Sequence, residues 1–299
     1  MPTLNRLFFN LLLPAIVCGG IYTIAAYLWK RYGKRENLQW LITFALGIGY
    51  IVGYFGIEGR QGFLPRENIN WIFIFTLFAI GSCTYWHLAR WRSLISQLIY
   101  SIVLPRVLLD AYFRNTWGPL EGKVWWLCLA LGILIFCKIV QLSLSALPSN
   151  ASSPFVYFGI SGGTTLILAL SGSMRLAQHA GILVALFAAI WILAIVLPRT
   201  IKFDIDSNWE VLPISISPVV IILLVCIWLN GYFYAEVPSA SAILLAVSPF
   251  LAQVGKIPAI QQLKGRKSVF IQVGLIALCV CIAVIIAVFR SGLFGGDAY

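Results

Sequence analysis

The feature that most constrains the fold of this sequence is a series of long apolar runs separated by short polar loops. A transmembrane helix needs about 20 consecutive, mostly apolar residues to cross the hydrocarbon core of a bilayer. The sequence contains ten such runs: Leu7–Trp29, Leu38–Ile57, Trp71–Leu88, Ser93–Phe113, Val124–Ala146, Phe155–Ser173, Leu176–Leu197, Leu212–Tyr234, Pro238–Gly255 and Ser268–Phe289. It therefore predicts an all-α polytopic membrane protein with ten transmembrane helices and short loops, forming a single integral membrane domain over residues 1–299.

The composition excludes a soluble globular protein. Apolar residues make up 61% of the chain and charged residues 10%, whereas soluble domains are roughly 45–50% apolar and about 25% charged. A chain this apolar could not cover its core with polar surface. The net charge of +11 comes from residues in short loops rather than on a soluble basic module. We therefore expect contact with anionic lipid and no binding of nucleic acid.

The distribution of Lys and Arg predicts the orientation of the chain. Loops rich in these residues are usually cytoplasmic, and the two most basic loops here are Lys30–Asn37 and Lys256–Lys267. An even number of spans must then separate them, so Ser93–Phe113 is expected to cross the bilayer despite carrying Arg106 and Asp110. We predict a cell-membrane protein with both termini extracytoplasmic and with anionic lipid at its basic cytoplasmic loops.

Charged residues inside the predicted spans are the candidate functional residues, because charge within a bilayer is rare and usually marks a pathway. Arg106 and Asp110 are four residues apart, so they share a helix face and can pair. Lys138 lies in the fifth span, near Gln141. We predict that Arg106, Asp110 and Lys138 bind a small-molecule or ion substrate. Two alternatives stay open: a structural Arg106–Asp110 ion pair near the outer interface, and a Lys138 that snorkels toward the cytoplasmic end of its helix.

A serine motif at Gly159–Gly163 fits the GxSxG pattern of serine hydrolases. A serine nucleophile requires a base within hydrogen-bond reach. The two histidines of the chain, His87 and His179, are both expected to be interfacial residues beside water, near opposite faces of the bilayer. This separation disfavours both a protease and a haem held by two histidines. The small residues around Ser161 are interpreted as a close-packing seam between helices or as the lining of a pathway.

A second motif, from Asp204 to Asn208, resembles the first ligands of a calcium loop. The glycine required at its sixth position is Trp209, and the glutamate required at its twelfth position is Ser215. We interpret the segment as a short amphipathic loop on the membrane surface. The sequence therefore predicts no metal site and no cofactor.

Prolines suggest an internal repeat. Pro105 lies in the fourth run and Pro249 in the ninth, and these runs correspond if the chain consists of two inverted five-helix halves. Broken helices at matching positions are typical of transport sites. The first hypothesis is a small secondary-transporter-like permease. The alternative is a non-catalytic membrane subunit or scaffold that packs against partner membrane proteins or a second copy.

An intramembrane enzyme is not expected, because Asp110 is the only carboxylate within a predicted span. In length and span count the chain is similar to the drug/metabolite transporter superfamily. No motif of that superfamily can be matched residue by residue, so the sequence assigns the chain to no family.

The predicted orientation can be tested with reporters fused to the C-terminus. Alkaline phosphatase is active only outside the cytoplasm, and green fluorescent protein, exported unfolded, fluoresces only inside it. We expect an active phosphatase fusion and a dark fluorescent fusion, because the basic loops hold the termini outside. An inactive phosphatase fusion together with a bright fluorescent fusion would contradict the argument that Ser93–Phe113 crosses the membrane.

Overall fold

The computed structural model describes residues 8–32, 39–59, 63, 65, 67–86, 90–147, 152–201, 212–261, 263 and 266–291. Within these ranges the chain is helical almost throughout and contains no strand. In hydrocarbon each backbone N–H and C=O group needs an internal partner, and a helix supplies these partners within a single segment. The all-α class predicted from the sequence is therefore confirmed.

The helices follow one another with short connections. They are α1 (Leu13–Tyr32, preceded by a π-helical turn at Phe8–Leu12), α2 (Gln39–Glu58), α3 (Trp71–Trp86, preceded by a 3₁₀ turn at Asn68–Asn70), α4 (Arg90–Leu108), α5 (Asp110–Asn115), α6 (Pro119–Ala146), α7 (Ser152–Leu170), α8 (Met174–Ile201), α9 (Leu212–Tyr234), α10 (Ser239–Val247, followed by a 3₁₀ segment at Ser248–Lys256), α11 (Pro258–Gln261) and α12 (Arg266–Arg290).

Seven helical segments of the described chain are long and apolar enough to cross a membrane: Phe8–Leu28, Leu41–Glu58, Pro119–Ser143, Ser152–Leu170, Met174–Leu197, Ser239–Lys256 and Lys267–Arg290. Three shorter apolar helical segments, Asn68–Ser82, Leu94–Leu108 and Pro218–Tyr234, lie where the sequence predicts the third, fourth and eighth spans. The protein is thus a multi-pass membrane protein, while the count of ten spans and the two inverted halves stay predictions.

Helix α9 forms the centre of the bundle. Each residue from Val219 to Ile227 is at most 5% exposed, and α9 packs against α2, α3, α4, α6, α7 and α8. A helix that is apolar on all sides is expected in the interior of a large bundle. Large apolar side chains on outer helices, such as Leu131 on α6 and Leu278 on α12, are more than half exposed and are suited to contact with lipid.

Close approach of α1, α2 and α8 depends on glycines in α2. A Cβ atom on Gly49 would lie 2.6 Å from Leu186 Cδ2 and 2.9 Å from Cys18 Cβ, and one on Gly53 would lie 2.9 Å from three atoms of Ile182. Residues without a side chain allow helix backbones to approach closely in membranes. These contacts bring one face of α2 against the first half of α8.

Two of the predicted spans are interrupted near their prolines. Helix α4 contains Pro105 and ends at Leu108, and α5 begins two residues later at Asp110. The ninth predicted span changes from α-helix to 3₁₀ helix at Ser248, next to Pro249. A 3₁₀ segment of nine residues is unusually long, since most run for about three or four residues. Each proline lacks a backbone N–H and so removes one donor from the helix beside the interruption, while Leu109 N still donates to Pro105 O at 3.1 Å.

The importance of the close approach can be tested with Gly49→Ala. The added methyl group would overlap Leu186 and Cys18, and Pro14 O would lie only 3.2 Å away. We expect a loss of about 1–3 kcal/mol in the free energy of unfolding, the usual cost of overpacking. The matched control is Gly20→Ala, whose new methyl group meets nothing within 4 Å. Unfolding of the purified variants in detergent would measure both effects, and equal stabilities would contradict the packing argument.

Candidate functional site

The carboxylate of Glu58 is the centre of a buried polar cluster. Glu58 is the last residue of α2, and its side chain is only 6% exposed. Arg175, in the first turn of α8, donates from Nε to Glu58 Oε1 at 2.8 Å and from Nη2 to Oε2. Such a two-point pair is among the strongest arrangements for a carboxylate. Arg175 also donates from Nη1 to Glu67, so a single guanidinium joins α8 to α2 and to the segment that precedes α3.

His179 lies one helical turn after Arg175 and is completely buried. Its Nε2 is 3.0 Å from Glu58 Oε1, and its Nδ1 is 3.1 Å from the Tyr50 hydroxyl oxygen. A carboxylate can only accept, so Nε2–H donates to Glu58. In the neutral ring Nδ1 is then an acceptor, and the Tyr50 hydroxyl donates to it. The three groups form a directed chain of hydrogen bonds from Tyr50 through His179 to Glu58.

Residue spacing explains how two helices build this cluster. Tyr50, Tyr54 and Glu58 follow at intervals of four on α2, and Arg175 and His179 have the same interval on α8. Residues four apart lie on one face of a helix, so the two polar faces meet where α2 and α8 approach closely. Tyr54 completes the arrangement: its ring lies 5.4 Å from the His179 ring, and its hydroxyl donates to Asn70 Oδ1 at 3.1 Å.

The charges of the cluster do not cancel. Glu58 and Glu67 each carry one negative charge, Arg175 carries one positive charge, and His179 is neutral in the tautomer just described. The sum is one negative charge. Because the Glu67 side chain is 59% exposed, water can solvate its carboxylate, whereas the Glu58 carboxylate depends on its protein partners. Addition of one proton to Glu58 or His179 would neutralise the cluster.

The predicted site residues lie elsewhere. Arg106 Nη1 is 2.8 Å from Asp110 Oδ1, so the expected ion pair forms, and Arg114 Nε is 2.7 Å from Asp110 Oδ2. The three side chains are 51%, 33% and 73% exposed, at the junction of α4 and α5. Each oxygen of the Asp110 carboxylate therefore accepts from one guanidinium in a partly exposed place.

Lys138 is separate from this pair. It is exposed on α6, and its Nζ is 3.5 Å from Gln141 Oε1. It follows Pro119 by 19 residues, which corresponds to about 28 Å along the helix. The structure thus brings Arg106 and Asp110 together but places Lys138 toward the other end of α6. A substrate-binding role for the three residues stays a prediction.

Glu58 was not among the residues predicted from the sequence: the second span was predicted to end at Ile57, one residue before the end of α2, where the buried carboxylate lies. His179 was expected beside water, and this is wrong, because its exposure is 0%. The missed signal is the matching interval of four on α2 and α8. His87 and the segment Asp204–Asn208 lie outside the described residues.

The serine motif lies apart from the cluster. Ser161 is completely buried, and its hydroxyl has no hydrogen-bond partner among the described residues. His179 is engaged with Tyr50 and Glu58 rather than with Ser161. A Cβ atom on Gly163 would lie 2.3 Å from Val280 Cγ1, so Gly163 makes the close contact that the packing interpretation predicts.

Stability measurements can separate the buried ion pair from the exposed one. Arg175→Gln leaves the Glu58 carboxylate buried without its guanidinium, and we expect a loss of about 3 kcal/mol in the free energy of unfolding. Arg106→Gln is the matched control, because an exposed ion pair contributes at most about 1 kcal/mol. The double variant Glu58→Gln/Arg175→Gln should recover part of the loss. Equal stabilities of the two single variants would contradict the assignment of Glu58 as the buried charge.

Similarity to other proteins gives no further assignment of this cluster. The chain matches no family model, no curated protein and no solved structure. The role of the Tyr50–His179–Glu58 chain is therefore inferred from its own geometry, burial and charge.

Proposed function

We propose that this protein is a small permease of the secondary-transporter type, in which Glu58 and His179 carry a coupling proton. The observation that carries the proposal is the buried carboxylate–imidazole–phenol chain at the end of a membrane-spanning helix. Carboxylates and histidines buried in membrane helices are expensive, and chains of them commonly serve as proton relays in transporters. The excess negative charge of the cluster supports the same role, since one proton neutralises it.

Proton binding at Glu58 would change the contact between α2 and α8. A neutral carboxyl group no longer attracts the Arg175 guanidinium, which is 44% exposed and keeps Glu67 as a partner. Loss of the two-point pair frees the beginning of α8 from the end of α2. Transport by alternating access needs such a link between the occupancy of a coupling site and the packing of helices.

The proposed architecture has ten spans, with both termini extracytoplasmic, and two inverted halves. Three shorter apolar helical segments at the predicted positions support the span count. Interruptions near Pro105 and Pro249 support corresponding fourth and ninth spans. In this orientation the Glu58 cluster lies near the outer face, where a proton can enter from outside. Exposure of Arg106 and Lys138 on the outside of their helices favours the Glu58 cluster, rather than these residues, as the coupling site.

One observation favours the alternative, a non-catalytic membrane subunit or scaffold. Arg175 satisfies both oxygens of Glu58, which is also what a structural clamp between helices requires. A clamp predicts that the cluster contributes to stability alone. A coupling site predicts in addition that solute movement depends on the proton gradient and on Glu58.

Reconstitution can distinguish the two functions. Proteoliposomes would be placed in a defined mixture of small metabolites under an imposed pH gradient, and their contents measured by mass spectrometry. We expect the unaltered protein to accumulate at least one compound only when the gradient is present, because proton binding at Glu58 drives the change in packing.

In the same assay Glu58→Gln should reduce accumulation to that of empty liposomes, since the amide cannot take up the proton. The matched control is Glu121→Gln, an exposed glutamate in the first turn of α6, which should leave accumulation unchanged. Accumulation that persists in Glu58→Gln would contradict the coupling role. Absence of any accumulation by the unaltered protein, with the gradient in either direction, would contradict the permease.

A further inference from the structure

An open apolar groove of about 390 Å³ lies between α6, α9 and α10. Its walls are aromatic and aliphatic, with Trp125, Phe136, Trp228 and Phe233 among the lining residues. The groove follows α6 from Trp125 to Phe136, a length of about 16 Å by the rise of an α-helix. Gly132, in the same stretch of α6, leaves the groove open, since a Cβ atom there would meet nothing within 4 Å. These dimensions fit an extended hydrocarbon chain.

One end of the groove meets a cluster of aromatic rings. The Trp125 and Trp117 rings are stacked with their centroids 5.7 Å apart, and the Phe233 ring lies 5.6 Å from Trp117 and 5.3 Å from Tyr112. Tryptophan and tyrosine concentrate at the boundary between the hydrocarbon core and the headgroups. This end of the groove is therefore at the membrane surface, and the other end is in the hydrocarbon core.

The Arg106 guanidinium lies beside the same aromatic cluster. The Phe113 ring is 5.0 Å from Trp117, and the Arg106 guanidinium lies over Phe113 at 4.9 Å from the ring centroid. Arg106 and Arg114 share the single carboxylate of Asp110, which leaves one net positive charge. The two guanidinium groups carry about ten N–H donors, whereas the Asp110 carboxylate that they share offers about four acceptor sites, so donors remain for an incoming anion.

We infer that this groove binds one acyl chain of an anionic phospholipid, whose phosphate lies on Arg106 and Arg114. The apolar groove would hold the acyl chain, and the aromatic cluster marks the level of the headgroup. The net positive charge explains the preference for anionic lipid. Guanidinium groups bind phosphate oxygens with paired, charge-assisted hydrogen bonds. This inference does not depend on the proposed transport function, because it uses none of the residues of the Glu58 cluster.

The experiment is native mass spectrometry of the full chain after transfer into detergent with phosphatidylglycerol or phosphatidylcholine. We expect one tightly bound phosphatidylglycerol and a preference of about tenfold over phosphatidylcholine. Both lipids carry the phosphate, but the choline cation cancels its charge and is repelled by the net positive charge of Arg106, Asp110 and Arg114. The double variant Arg106→Gln/Arg114→Gln should bind both lipids equally. This variant leaves the groove unchanged, so it tests the headgroup contact separately from the chain contact.

A variant that fills the groove tests the contact between the groove and the acyl chain. Gly132→Leu places a side chain in the open space and should abolish the bound lipid. The matched control is Gly159→Leu, because Gly159 lines a separate groove between α7 and α12 and is also open. Equal binding of the two lipids by the unaltered protein, or lipid retained in a folded Gly132→Leu variant, would overturn the inference. If Gly132→Leu does not fold, the double arginine variant still decides, since an unchanged lipid preference there overturns it.

Discussion

The structure depends on one constraint: a bilayer offers no hydrogen-bond partners, so each polar group within it must find one inside the protein. Hydroxyl groups meet this requirement locally. Thr76, Thr164 and Ser143 all donate to backbone carbonyls of their own helices, three or four residues earlier. A carboxylate cannot be satisfied in this way because it has no proton to donate. Glu58 therefore needs donors from another helix, and Arg175 and His179 on α8 supply them.

This difference explains how much of the fold and site the sequence predicts. Hydropathy is a local property, so the all-α class and the long apolar helices follow from the sequence, and Arg106 with Asp110 is found because a pair at an interval of four is also local. Glu58 and Arg175 are 117 residues apart, and their contact follows from the packing of α2 on α8. The burial of His179 has the same origin. An interval of four marks a polar face on each helix but does not say which helix that face meets, so Glu58 was not among the predicted site residues and His179 was expected beside water.

Two buried hydroxyl groups help to choose between a scaffold and a permease. Tyr22 on α1 and Thr43 on α2 are both buried, and their hydroxyls have no hydrogen-bond partner in the described part of the chain. Thr43 precedes Tyr50 by seven residues, so both lie on the face of α2 that carries Glu58. An unsatisfied buried hydroxyl costs about 1–3 kcal/mol. Polar groups thus extend along α2 inward from the Glu58 cluster. This arrangement favours the proposed permease, whose interior must admit a polar solute, over a scaffold whose interior only packs.

Burial, rather than the number of charges in a helix, decides which ionic residues matter here. Asp110 accepts hydrogen bonds from two arginines, as many charged partners as any carboxylate in the described chain has. However, the Asp110 side chain is one third exposed, so water competes with the arginines for its carboxylate. Exposed ion pairs contribute at most about 1 kcal/mol to the free energy of unfolding. The Glu58 side chain is 6% exposed, so water cannot solvate its carboxylate. A change in its charge therefore changes its interactions with the protein groups around it. The same kind of ion pair thus contributes little at the surface of this protein, whereas in its interior it joins two helices.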